Sequence, residues 1–193
     1  VKRLCVFCGS SPGFDSIHAD AARELGTALA RNGIGLVYGG GSVGLMGIVA
    51  DAALLEGGEV IGVMPQALVD RELAHNGCNQ FHITASMHER KAIMADLSDG
   101  FIALSGGIGT FEEMFEIWTW AQLGDHGKPV SLLNIGGFYD SLAAFLDGVV
   151  AQGFLRQEHR DMLLVEDEVD ALLTRLADYQ PPDLGKWIGH KER

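Results

Sequence analysis

Short, unbroken apolar runs alternate with helical patterns along almost the whole chain, and this alternation limits the possible folds more than any other feature. The runs cover residues 4–7, 34–38, 60–64, 101–104, 130–134 and 163–165, with 81–84 a weaker candidate. Between them, apolar residues recur at helical spacing over 16–32, 45–56, 86–97, 111–123, 139–152 and 169–177. A strand that is apolar on both faces must be covered on both. The pattern therefore predicts an α/β fold built on a parallel, doubly wound sheet with helices on each side. Right-handed crossovers then gather the loops that follow the strands along one edge, where open α/β sheets bind ligands.

The chain's 193 residues fit one domain, taken as 1–178, followed by a tail over 179–193 that carries Pro181-Pro182 and mixed charge. With 14 Lys and Arg against 26 Asp and Glu, the net charge is −12. That balance argues against nucleic-acid polymers and anionic membranes as partners, so an anionic ligand needs a local positive site. No apolar run reaches the roughly 20 residues of a membrane span and no basic-then-apolar leader opens the sequence, which predicts a cytoplasmic protein. The three cysteines form no disulfide framework. Cys5 and Cys8 imitate a redox C-x-x-C, but residues three apart on a strand point to opposite faces, and buried thiols are expected.

Three post-strand loops are rich in small residues: Gly9-Ser10-Ser11-Pro12-Gly13, Gly39-Gly40-Gly41-Ser42-Val43-Gly44 and Ser105-Gly106-Gly107-Ile108-Gly109-Thr110. Each precedes a helix, whose free N–H groups and dipole suit an anion. One such loop reads as an ordinary turn; three on a common edge point to a phosphate-bearing ligand. Gly39-x-Gly41-x-x-Gly44 matches the dinucleotide fingerprint, yet it follows the second strand, and the third strand ends at Pro65 with no ribose-binding acid. A nicotinamide cofactor is disfavoured, and no Walker A sequence occurs.

Thr110 and Glu113 have the spacing of a capping box, which by itself explains both; a neighbouring anion would let Glu113 cap and also act. Arg90 shares a helical stripe with Met87, Met94 and Leu97, a face that should be buried, so its charge needs a partner. A structural salt bridge satisfies that need, as does an anion site that also explains Lys91 beside it. Arg71 and Glu72 fall in a polar stretch that reads as a surface turn. The seven histidines show no paired ligand spacing, so neither a catalytic metal nor a cofactor is expected.

The segments Gly106-Gly107-Ile108-Gly109-Thr110-Phe111-Glu112-Glu113 and Met87-His88-Glu89-Arg90-Lys91 strongly resemble the LONELY GUY (LOG) family of cytokinin riboside 5′-monophosphate phosphoribohydrolases. The likeness runs from Cys8-Gly9-Ser10-Ser11 through Gly39-Gly40-Gly41 and Gly44-Leu45-Met46-Gly47 to Thr119-Trp120-Ala121-Gln122-Leu123-Gly124 and Gly153-Phe154. It implies a modified Rossmann-like fold and a homodimer whose subunits share each site. It also implies hydrolysis of the base–ribose bond of adenosine 5′-monophosphates, with or without an N6 substituent. By the same resemblance, Arg90 and Glu113 are the catalytic pair, and Gly107, Ile108, Gly109 and Thr110 hold the 5′-phosphate. Glu72, Lys91 and Thr119 match further substrate contacts, while Gly9, Ser10, Gly40 and Gly41 are additional candidates for phosphate or ribose.

The family's older label, lysine decarboxylase, finds no particular support, because Lys91 is the only lysine in a motif. One departure stands out: Ser105 occupies the place of the motif's proline, which predicts a looser phosphate loop and lower activity. Met87, Met114 and Trp118 are apolar candidates for a base pocket whose spacing equally suits core. A non-catalytic nucleotide or molybdenum-cofactor carrier of related fold is the alternative, and the Arg90 and Glu113 pair favours the enzyme.

Overall fold

The computed structural model describes residues 1–71 and 73–182. Its strands are β1 (Arg3–Phe7), β2 (Gly35–Tyr38), β3 (Val60–Pro65), β4 (Gln80–Thr84), β5 (Gly100–Ala103), β6 (Val130–Leu133) and β7 (Leu163–Glu166). The helices are α1 (Ser16–Arg31), α2 (Gly44–Leu55), α3 (Gln66–Val69), α4 (Met87–Leu97), α5 (Ile108–Leu123), α6 (Asp140–Ala151), α7 (Gln157–Asp161) and α8 (Val169–Ala177). The strands form one sheet in the order β4-β3-β2-β1-β5-β6-β7, and every pairing is parallel. This is the doubly wound, Rossmann-like α/β architecture that the apolar runs predict.

Side chains one residue apart serve opposite faces. Leu4, Val6 and Cys8 of the first strand and its extension join a core with α1, α2 and α8. Cys5 and Phe7 enter a second core with Met94 of α4, Met114 and Trp118 of α5, and Leu146 of α6. Cys5 and Cys8 thus lie on opposite sides of the sheet as free, buried thiols, and burial raises the pKa of each.

The weak signal over 81–84 has a physical cause. β4 is one of the sheet's two edge strands and is mostly exposed or half-buried, so it lacks the continuous apolar character of the strands beside it. The short helices α3 and α7 are too brief to show a period and were not expected from the pattern. No described helix is long and apolar enough to cross a membrane.

The tightest helix contact joins α1 to α2. A Cβ placed at Gly26 would lie 2.3 Å from the Val49 carbonyl oxygen and 2.9 Å from the Ala52 Cβ, so glycine permits the approach. The blocking atom is backbone and cannot swing aside. Overpacking of this kind costs about 1–3 kcal/mol, which corresponds to a fall in Tm of about 3–10 °C for Gly26→Ala in a domain of this size. Thermal denaturation measures it, and an unchanged Tm would mean that α2 shifts freely.

Candidate active site

The chain reverses its winding at β1, which lies between β2 and β5. After β1 it enters α1 on one face; after β5 it enters α5 on the other. The loops between them diverge from a shared backbone ladder, where Leu104 N–H donates to Phe7 O (2.9 Å) and Gly9 N–H to Ser105 O (3.0 Å). They leave a cleft of ≈ 530 Å³ bounded by Gly9, Ser10, Ser105, Gly106 and Gly107, among others. A crevice at such a switch point is where open α/β sheets take ligands.

The three glycine-rich loops are not equivalent. Residues 9–13 and 105–107 flank the cleft, whereas Gly39, Gly40 and Gly41 of the remaining loop are packed into the body of the protein and only Ser42 and Val43 reach its surface. Gly40 and Gly41 are buried, Gly40 O accepts from His75 N–H (2.8 Å), and Gly41 pairs with Ala74. Gly44, at φ +59°, lies so close to Ser10 that a Cβ would meet its carbonyl carbon at 2.3 Å. Loop 39–44 therefore braces the first loop.

Helix α5 corrects the capping-box expectation. It begins at Ile108, with Gly107 as its N-cap and no side-chain cap bond. Thr110 and Glu113 lie inside the helix, and both are buried. An arrangement close to a capping box is found at α4, where the N-cap Ser86 hydroxyl accepts from Glu89 N–H (3.2 Å) and the Glu89 carboxylate reaches back to accept from Ala85 N–H, one residue before the cap (2.7 Å). The Ser-x-x-Glu spacing over 86–89 carried that signal in the sequence. At α5, Gly107, Ile108 and Gly109 are exposed, and nothing lies within 4 Å of a Cβ built on Gly107 or Gly109. The first turn of α5 thus presents accessible backbone to an anion.

Arg90 and Glu113 meet in the interior. Arg90 Nη2 lies 2.8 Å from Glu113 Oε1, with each residue 8% exposed. Arg90 Nε–H also donates to Val63 O at 3.1 Å. The guanidinium runs so close to Gly39 that a Cβ there would sit 2.3 Å from Nη2. Burial pushes the Glu113 carboxyl above its ordinary range; Arg90 opposes the shift, while Glu112 and Glu116 add to it.

Lys91 is equally engaged. Its buried ammonium lies 2.5 Å from Glu112 Oε1 and 2.6 Å from Glu116 Oε2. Desolvation opposes its charge, but the two carboxylates prevail and its pKa is raised. Two cations of α4 therefore face three carboxylates of α5, which gives Arg90 and Lys91 the ion-pair partners that a buried charge needs. Thr119 is exposed on α5, its hydroxyl donating to Phe115 O at 2.7 Å. Glu72 lies outside the described residues.

Met114 and Trp118 are core, with Trp118 Nε1–H donating to His159 O, whereas Met87 is 43% exposed beside Arg90. Among the described residues, no group of three or more His, Cys, Asp or Glu side chains is placed to hold a metal.

The buried pair has a pH signature. Glu113's folded-state pKa lies above its ordinary value of 4.5, so the folded protein holds this proton more tightly than the unfolded chain does. The corresponding stability is fully present below 4.5 and is lost as pH rises through the raised folded value. Glu113→Gln, which cannot ionise, escapes that loss. Urea unfolding should show the difference in stability, variant minus wild type, growing as pH rises from 4.5; a flat or falling difference would exclude burial as the dominant influence.

Comparison with known proteins places this site in a family. The family model described as "Possible lysine decarboxylase" matches residues 46–176. Cytokinin riboside 5′-monophosphate phosphoribohydrolase LOG1 of Arabidopsis thaliana is 49% identical over 180 residues, covering 93% of this chain and 84% of that protein. A probable phosphoribohydrolase of the same kind from Oryza sativa subsp. japonica, LOGL5, is 50% identical over 181 residues, covering 94% and 74%. Among solved structures, the molybdenum cofactor binding protein of Rippkaea orientalis superposes with a TM-score of 0.70 at 20% identity, covering 92% of this chain and 96% of that one. That likeness is one of fold. The matched family model and the two plant relatives carry the assignment: this chain belongs to the LONELY GUY family.

Proposed function

We propose that the protein hydrolyses the N-glycosidic bond of adenosine 5′-monophosphates, N6-substituted ones included, to free base and ribose 5-phosphate. One observation carries the reading: a buried Arg90–Glu113 pair ties α4 to α5, the helix whose first turn has no side-chain cap and exposes its backbone at Gly107 and Gly109. The activity named for relatives 49% and 50% identical supports it.

In this reading the N–H groups of residues 107–110 hold the 5′-phosphate, which supplies the positioning energy for the bond to be cut. Water's oxygen bonds to ribose C1′ as the C1′–N9 bond breaks, and the electron pair leaves with the base. Glu113 stabilises the cation-like ribose and takes the water's proton, which then passes to the departing base. A carboxyl whose pKa burial has raised suits that exchange. Arg90 fixes the carboxylate through its 2.8 Å contact and is itself fixed by Val63 O. Lys91 positions α5 through Glu112 and Glu116, and Thr119 and Glu72 are further substrate contacts. The non-catalytic alternative rests on fold likeness at 20% identity, and the ion pair gives a mere carrier no advantage.

Free base released from AMP and from N6-isopentenyl-AMP, measured by chromatography, tests the reading. Glu113→Gln should lower kcat by at least about 100-fold, the usual size of a lost acid–base group. Adenosine, lacking the phosphate, should be turned over far less efficiently than AMP. The acid limb of the pH–rate profile should lie above 4.5 and move downward in Glu112→Gln, because the Glu112 charge helps to raise Glu113. Full activity in Glu113→Gln would remove the carboxylate from the mechanism.

A further inference from the structure

We infer that His18 and Ser105 are positioning residues: the hydrogen bond between them braces the phosphate loop from α1 and does the work of the proline that the family motif carries at 105. The inference rests on the reading above that residues 107–110 hold a 5′-phosphate.

Backbone N–H groups hold an anion well only while the loop that carries them keeps its shape, because they cannot swing to follow the ligand as a lysine can. This loop is fixed where it leaves the sheet. The Ser105 carbonyl accepts from Gly9 N–H at 3.0 Å, and the Leu104 carbonyl accepts from the buried Tyr139 hydroxyl at 2.6 Å. Both acceptors are main-chain atoms, so proline at 105 would leave them in place. The chain then bends back so tightly on α5 that a Cβ at Gly106 would clash with Thr110 Oγ1.

The third restraint belongs to serine alone. The Ser105 hydroxyl lies 2.8 Å from His18 Nδ1, 87 residues away on α1. Proline would instead lock the φ angle of residue 105 and could make no such bond. Ser105 is buried, so its hydroxyl has little water to turn to and depends on His18 for a partner. His18 is itself steadied by an edge contact with Phe138 (ring centroids 5.6 Å apart), and Phe138 also packs against Phe111 in the first turn of α5 (6.5 Å). Ser105 and Phe111, at the two ends of the loop, are thus joined through His18 and Phe138. In place of the looser loop that the missing proline predicts, a side-chain bond to a neighbouring helix supplies the restraint.

Calorimetric titration with two probes tests this. One is a C-nucleoside analogue of AMP, whose C–C link to ribose resists hydrolysis; the other is the same C-nucleoside without its phosphate. Ser105→Ala removes the hydroxyl, and His18→Phe keeps a ring against Phe138 but removes the nitrogen. Each should weaken the phosphorylated probe about 2–10-fold, the range of one hydrogen bond, and leave the phosphate-free probe unchanged. The double variant should bind no worse than either single one, because both lose the same bond. Ser105→Pro should recover the binding that Ser105→Ala loses, and adding His18→Phe to it should cost nothing further.

Undiminished binding in both single variants overturns the inference, as do losses that add in the double variant. An equal loss for both probes also overturns it, since the bond would then support the fold at large rather than the phosphate loop. So does a Ser105→Pro protein that binds no better than Ser105→Ala or does not fold, because proline and the bond would not then be interchangeable. The two readings fail separately. Base release from AMP with no change of binding in the variants keeps the hydrolase and rejects the brace, whereas a phosphate-selective loss in a protein that releases no base does the reverse. If the wild type binds the two probes equally, the phosphate loop holds no phosphate and the brace falls with it.

Discussion

A parallel strand cannot return to the sheet through a tight turn, and nearly everything functional in this protein follows from that constraint. Each strand must be followed by a crossover, so all the strand ends that lead into helices lie on one edge. Because β1 sits between β2 and β5, the crossovers go to opposite faces at that point and the edge opens. The opening cannot be filled by a tighter loop without breaking the Leu104–Phe7 and Gly9–Ser105 hydrogen bonds that continue the sheet into the loops. A crevice is thus part of the topology before any functional side chain is placed.

The protein's charge then decides how that crevice can hold an anion. With a net charge of −12, the chain offers no general attraction for phosphate. Its two best-placed cations, Arg90 and Lys91, are already matched by Glu113, Glu112 and Glu116. Backbone dipoles remain. The uncapped first turn of α5, with exposed glycines at 107 and 109, supplies positive potential without a formal charge. In the proposed reaction, this division leaves the side chains for the ribose and the leaving base, with the phosphate on backbone N–H groups.

The fold was legible because burial on both faces makes a strand continuously apolar, and six of the strands carry that signature; β4 does not, since an edge strand need not be apolar throughout. Arg90 was legible for a related reason: a guanidinium on a buried stripe demands an opposite charge, although the sequence could not say that the demand would be met by Glu113. The capping-box reading of Thr110 and Glu113 failed because the three residues before Phe111 lack an apolar period yet are helical, which moves Thr110 inside the first turn. The Glu112 and Glu116 clamp on Lys91 was also hidden. Ion pairs between helices depend on how α4 and α5 pack, and no spacing within either helix reveals it. The bond between His18 and Ser105, 87 residues apart, is invisible for the same reason.

What distinguishes this site from a merely stable core is the Arg90–Glu113 pair. Taking both charges out of water costs several kcal/mol per ion, and a hydrophobic pair of similar volume is often at least as stable. The protein nevertheless draws on four elements to keep the pair: Arg90 from α4, Glu113 from α5, the Val63 carbonyl from β3, and the side-chain-free Gly39 beyond β2. Each comes from a separate stretch of the chain, so the pair assembles only when β2, β3, α4 and α5 have come together. A carboxylate held this firmly, in surroundings that raise its pKa, is poorly suited to stabilising a fold. It is well suited to meeting a developing positive charge without having to reorganise, and that preorganisation is what the desolvation cost secures.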